Sequence, residues 1–165
     1  MSRTFAKAAA AVFAAIGTII MAPLAIAQQP TALNIHQDVP VLAEVDLGAS
    51  SNSPGDLLAF EAGITAEDGT TGTLSGILIT IDLPGDGDDV FEDRIGQLVF
   101  DLGSSNSILV AGESVYAETT TEMNADQPQL RAVIGGTGQY IGARGQVTTT
   151  RNADGTYEHA FELIK

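Results

Sequence analysis

Cysteine and tryptophan are absent from the 165 residues, and basic side chains are scarce. Without cysteine there is no disulfide and no thiolate metal site, so the fold must rest on its core and its hydrogen bonds. With no Trp, 3 Tyr and 6 Phe, stacking surface is limited. Seven Lys and Arg stand against 21 Asp and Glu, a net charge of −14. Such a surface repels phosphate backbones and anionic membranes, which argues against nucleic acid as a partner. The acidic excess reads as support for solubility. Helical periodicity is also missing from everything beyond Gln28.

What is present begins with an export signal. Arg3 and Lys7 precede an apolar run from Ala8 to Met21, and Pro23-Leu-Ala-Ile-Ala27 ends in a small-x-small site. This is the pattern of a secretory signal peptide, with cleavage expected after Ala27. The run is short of the roughly 20 apolar residues that a membrane span needs, so no stable span is expected after cleavage. The expected organisation is a signal peptide over 1–27, a leader over 28–38 and one domain over 39–165, in a secreted or periplasmic protein. Cleavage leaves 138 residues (165 less 27), which carry all 21 acidic side chains. Five basic ones remain, Arg94, Arg131, Arg144, Arg151 and Lys165, for a mature net charge of −16. A chain of that size buries about two-thirds of its unfolded surface, enough for a core without staples.

The mature region reads as β-strands and turns. Val39 to Leu47 alternates, with Val41, Ala43, Val45 and Leu47 on one face and Leu42, Glu44 and Asp46 on the other. Further strands are expected over 56–65, 73–83, 95–102, 108–119, 129–134, 139–151 and 156–164. Asp68-Gly69, Gly103 to Ser107 and Asn152-Ala-Asp-Gly155 mark turns between them. Eight antiparallel strands in sequence predict an all-β fold, an eight-stranded antiparallel β-barrel that leaves no open edge. A jelly roll or immunoglobulin-like sandwich is the alternative.

One stretch carries a family resemblance. Ala132-Val-Ile-Gly-Gly-Thr-Gly-Gln-Tyr-Ile-Gly-Ala-Arg-Gly-Gln-Val147 resembles the glycine-turn signature of the allene oxide cyclase and dirigent superfamily. Gly55-Asp-Leu-Leu-Ala-Phe60 and Leu109-Val-Ala-Gly-Glu113 resemble two further strands of that superfamily, in the right order. The resemblance covers roughly 41–164. It implies a barrel, commonly trimeric, around an apolar cavity, and a cofactor-free cyclase or isomerase that folds an unsaturated small molecule into a reactive conformer. A homo-oligomer, trimer or dimer, is therefore expected. The alternative is a non-catalytic secreted barrel that binds a lipid-like or aromatic ligand or serves as an oligomeric envelope component.

Candidate sites follow from the carboxylates. Glu44 and Asp46 share a face with Leu42; pointed into an apolar barrel they could serve as general acid or base. Glu61 and Glu113 are further catalytic candidates. Asp82, Asp86, Asp88 and Asp93 have a partial calcium-loop spacing, but Pro84 occupies a ligand position and no flanking helices are expected, so a solvated acidic loop is the preferred reading. No cofactor is expected. Gly136-Thr-Gly138 precedes a strand rather than a helix, so it is turn geometry and not a dinucleotide fingerprint. Gly135, Gly136 and Gly138 are expected to form the turn itself. Arg144 is expected to pair with a carboxylate such as Glu158, and the tyrosines at 116, 140 and 157 to pack with wet hydroxyls.

Overall fold

The computed structural model describes residues 29–48, 53–81, 91–117 and 121–164. Nine strands follow one another: β1 (Thr31–Gln37), β2 (Val41–Val45), β3 (Leu57–Ala66), β4 (Thr71–Thr80), β5 (Phe91–Asp101), β6 (Ser107–Ala117), β7 (Gln129–Thr137), β8 (Arg144–Arg151) and β9 (Tyr157–Ile164). They form one sheet in the order β1-β9-β8-β7-β6-β5-β4-β3-β2, and β1 also pairs with β3, which closes the barrel. All strand pairs are antiparallel.

Nine strands make eight staves. β1 pairs with β9 along its whole length and meets β3 through Gln37 opposite Ile64; β2 then meets β3 through Val41 opposite Glu61. Four steps on one side match three on the other, so one extra residue bulges between Gln37 and Val41. Pro40 lies in that bulge, where its missing N–H breaks no ladder. The expected eight-stranded antiparallel barrel is thus the fold, with its first stave broken in two.

Two expectations need correction. The segment read as a leader, 28–38, contains β1, so the barrel begins at Thr31 and not at Val39. Its apolar pattern is too short to signal a strand alone. What holds it is pairing with the distant β9 and the burial of Ile35 and Gln37. The glycine turn also shifts. Gly135 and Gly136 belong to β7, opposite Leu109 and Ile108 of β6, and the turn runs from Gly138 to Ala143 with one 3-10 turn at Gly138–Tyr140. Gly138 (φ +59) and Gly142 (φ +78) supply its left-handed positions. At Gly136 a Cβ would meet the Ser107 carbonyl and Tyr140 at 2.7 Å, so the requirement there is close approach rather than turning.

Alternation decides what the barrel encloses. Along β9, Tyr157, His159, Phe161 and Leu163 are buried while Glu158, Ala160, Glu162 and Ile164 face out. One end is filled by apolar side chains that include Ile35, Leu74, Phe100, Ile108 and Phe161. The other end holds a smaller cluster of Leu58, Leu78, Tyr116, Met123 and Tyr157. Asp56 fastens this second end. It accepts hydrogen bonds from the Leu47 and Ser53 backbone N–H groups at 2.8 and 2.7 Å, which lower its pKa. On the outside, Val45 lies opposite Leu57, Leu57 opposite Ile79 and Ile79 opposite Ile95, so β2 to β5 carry a contiguous apolar band. Val45, Ile79 and Ile95 in it are 45%, 38% and 48% exposed.

Candidate functional site

Polar side chains interrupt the inward pattern at the second end. On β9 the interruption is His159, on β8 Thr149, on β7 Arg131, on β5 Arg94 and on β1 Gln37, all buried. Most occupy the register of an apolar neighbour two residues away: His159 of Phe161, Thr149 of Val147, Arg131 of Val133 and Gln37 of Ile35. Together with Leu42, Phe60, Tyr116, Tyr157 and Glu122, most of these groups surround a cavity of about 40 Å³. That is room for a few waters. Met123 covers it from the segment that joins β6 to β7, and Leu98 on its wall belongs to the filled end.

The polar groups are ordered by hydrogen bonds. His159 Nε2 lies 2.8 Å from Gln37 Oε1 and its Nδ1 lies 2.9 Å from Thr149 Oγ1. The amide oxygen can only accept, so Nε2 carries the proton and Nδ1 accepts from the threonine hydroxyl. Burial, and then the positive charges of Arg131 and His36, push the His159 pKa down to about 3, so the ring is neutral at physiological pH. Removing its donor by Thr149→Val is expected to cost about 1–2 kcal/mol, read from the urea midpoint, because the buried Nδ1 loses its partner.

Glu122 anchors a second group. Its Oε2 accepts from Arg151 Nη2 at 3.0 Å and its Oε1 from the Tyr157 hydroxyl at 3.1 Å. Burial and the Glu122 charge hold the Tyr157 pKa well above the usual tyrosine range. Burial opposes the Arg151 charge, but Glu122 outweighs it and raises the Arg151 pKa. Arg131 differs from both arginines beside it. Arg94 donates from Nη1 to the Thr121 carbonyl at 3.1 Å and lies over the Tyr116 ring at 4.7 Å. Among the described residues Arg131 donates from Nη2 to the Tyr116 hydroxyl at 3.0 Å and no ion pair reaches it; its Nε, like that of Arg151, has no partner.

The residues picked from sequence lie elsewhere. Glu44 is opposite Leu58 in the inward register but at the open end, where it is exposed; Asp46 follows the end of β2 and is exposed too. Glu61 and Glu113 face outward, and none of the four lines the cavity. Asp82, Asp86 and Asp88 lie outside the described residues; Asp93 is half-buried on β5. Arg144 donates to the Ala143 carbonyl, and the partner of Glu158 is His36, at 2.7 Å, because β8 sets Thr150 and not Arg144 opposite Glu158. The Tyr116 and Tyr157 hydroxyls are engaged by Arg131 and Glu122 rather than by solvent alone. Arg131, His159 and Glu122 were missed from sequence. For the first two the signal was there: a polar residue at the parity of buried apolar ones, as in Tyr157-x-His-x-Phe161. Glu122 sits in a connection and had no such signal.

No family model matches the chain, and no curated protein matches it in sequence. Solved structures do. A pyocyanin demethylase superposes with a TM-score of 0.59 at 20% identity, over 82% of this chain and 99% of its own. A pterocarpan synthase dirigent protein gives 0.54 at 18% identity, over 87% and 94%. The Diels-Alderase AbmU from Streptomyces koyangensis gives 0.52 at 16%, over 82% and 69%. The fold is the antiparallel barrel that these solved structures share. Its structural neighbours include cyclase-type enzymes and dirigent proteins.

Proposed function

We propose that the protein is a barrel catalyst of the orienting kind, which holds an unsaturated small molecule in its polar end and promotes cyclisation or isomerisation without a cofactor. The observation that supports this is the convergence of buried, hydrogen-bonded polar groups on one cavity in an otherwise apolar interior. Such groups destabilise a core unless they serve a ligand or each other. Their geometry is fixed in advance by Gln37, Thr149 and Tyr157, as orientation and electrostatic catalysis require. Glu122 is the carboxylate on the cavity wall and takes the proton-transfer role, with Tyr157 as its hydrogen-bonded neighbour. Glu44 stands at the entrance.

The test is product analysis with a panel of epoxy-acids and polyenes. The expected result is a changed product distribution with the protein, and a rate at least about 100-fold lower in Glu122→Gln. Unchanged product ratios across the panel would remove the catalytic reading. The smallness of the cavity favours a second reading, a non-catalytic exported barrel that binds a small apolar ligand; native mass spectrometry of the purified protein, with a ligand retained but no product formed, would select it.

Export and assembly belong to the same proposal. Cleavage after Ala27 would leave Gln28 to Pro30 ahead of β1, so the barrel would keep every strand. N-terminal sequencing of exported protein checks the cut. The apolar band on β2 to β5 supports a homo-oligomer that packs barrels side by side. Ile95→Glu is expected to convert it to monomer in light scattering, with the circular dichroism of the barrel unchanged.

A further inference from the structure

We propose that the cavity receives the oxyanion of a small organic acid on Arg131 and Tyr116. The inference rests on the small-molecule reading above and names the class of molecule. Arg131 is 4% exposed and borders the cavity. Among the described residues its one hydrogen bond goes to a hydroxyl, its Nε is unsatisfied, and no carboxylate pairs with it. Burying a guanidinium costs several kcal/mol unless an anion compensates it. The chain is rich in carboxylates, 21 in all, yet none of those among the described residues is placed on Arg131. Glu122, the carboxylate lining the cavity, is engaged by Arg151 and Tyr157.

The arrangement around Arg131 suits an oxyanion. Tyr116 accepts from the guanidinium, which leaves its own proton to donate into the cavity. Arg94 lies over the Tyr116 ring at 4.7 Å and adds positive potential at that spot. A guanidinium and a hydroxyl side by side bind one carboxylate through charge-assisted hydrogen bonds. Leu42, Leu58, Phe60 and Leu78 give the wall an apolar and aromatic side, which suits the unsaturated body of the same molecule. A cavity of about 40 Å³ admits the anionic head; the body would take the place of Met123. The acidic exterior repels anions over long range, so an anion held here would be held by these contacts and not by the surface field.

Calorimetry with sorbate and its neutral amide, on the full mature protein, tests the proposal. The wild type should bind sorbate at least 10-fold tighter than sorbamide. Arg131→Met should lose that preference while melting no lower than wild type, because an uncompensated buried charge has been removed. Tyr116→Phe should weaken sorbate several-fold and leave sorbamide unchanged. Equal binding of the two probes by wild type would overturn the anion site and leave the small-molecule pocket standing. Binding of neither would remove the pocket as well. A strongly destabilised Arg131→Met with an intact Tyr116→Phe that still prefers sorbate by the wild-type margin would make Arg131 a structural residue and overturn the proposal.

Discussion

Between pH 7 and pH 4 the barrel is expected to lose about 3 kcal/mol of stability through one side chain, His159. Its pKa falls from an unfolded 6.5 to about 3 in the fold. Below 6.5 the unfolded chain takes up a proton that the folded chain refuses until about pH 3. The contribution is therefore complete above 6.5 and is lost progressively as the pH falls to 3. The cause is first burial, then the charges of Arg131 and His36. The stacked ring of Tyr157 at 6.4 Å and the edge of Phe100 at 4.8 Å offer no anion to a histidinium, and Gln37 and Thr149 offer only neutral hydrogen bonds. Two other effects can be separated from it. Protonating surface carboxylates relieves the repulsion of a net −14 chain, which works in the opposite direction. Asp56, Asp68 and Asp154 have pKa values lowered by hydrogen bonds, and their stabilisation fades only below the ordinary 3.8. Urea midpoints of wild type and His159→Gln at pH 7 and pH 4 check the prediction. The variant should start lower at pH 7 and then lose less than about 1 kcal/mol. A variant that falls as far as wild type would place the acid sensitivity elsewhere.

How much of this could be read in the sequence follows from the range of each interaction. Alternation is local, so β3 to β9 were legible within a few residues, and the glycines of 132–147 pointed to this kind of barrel. β1 was not legible. Leu33, Ile35 and Gln37 alternate too briefly to stand alone, and their partners lie on β9, with Ile35 opposite His159. The site failed for a different reason. Carboxylates are the obvious catalytic acids in the sequence, and Glu44 and Asp46 stand out there for sharing a face with Leu42. That face does turn inward at Leu42, but the stave ends at the barrel mouth, and Glu44 stays in water. The inward charges are mostly cations. Arg94 shares its parity with Leu98 and Phe100, and Arg131 with Val133. In a chain with so few basic residues, an arginine at an apolar parity was the stronger signal.

Phe100→Ala is expected to cost about 3–5 kcal/mol, more than any cavity-lining change proposed above. Phe100 has no exposed surface. It meets Phe161 edge-on at 5.0 Å and His159 edge-on at 4.8 Å, so it belongs to the filled end and also packs against the histidine of the polar one. Truncation removes both ring contacts and leaves a void that the surrounding staves, hydrogen-bonded into a closed barrel, cannot collapse to fill. Phe100→Leu keeps most of the apolar volume and is expected to cost about 1–2 kcal/mol. The alanine variant should also change the response to pH. Its void opens beside an imidazole whose neutral state depends on exclusion of water, so water can reach the ring and its pKa should recover toward 6.5. The loss of stability between pH 7 and pH 4 should then be smaller in Phe100→Ala than in wild type, and unchanged in Phe100→Leu. Urea denaturation of the two variants at both pH values decides it, since the coupling is the amount by which the separate effects fail to add. A full acid loss retained in Phe100→Ala would show that the ring holds the barrel together without shielding the site.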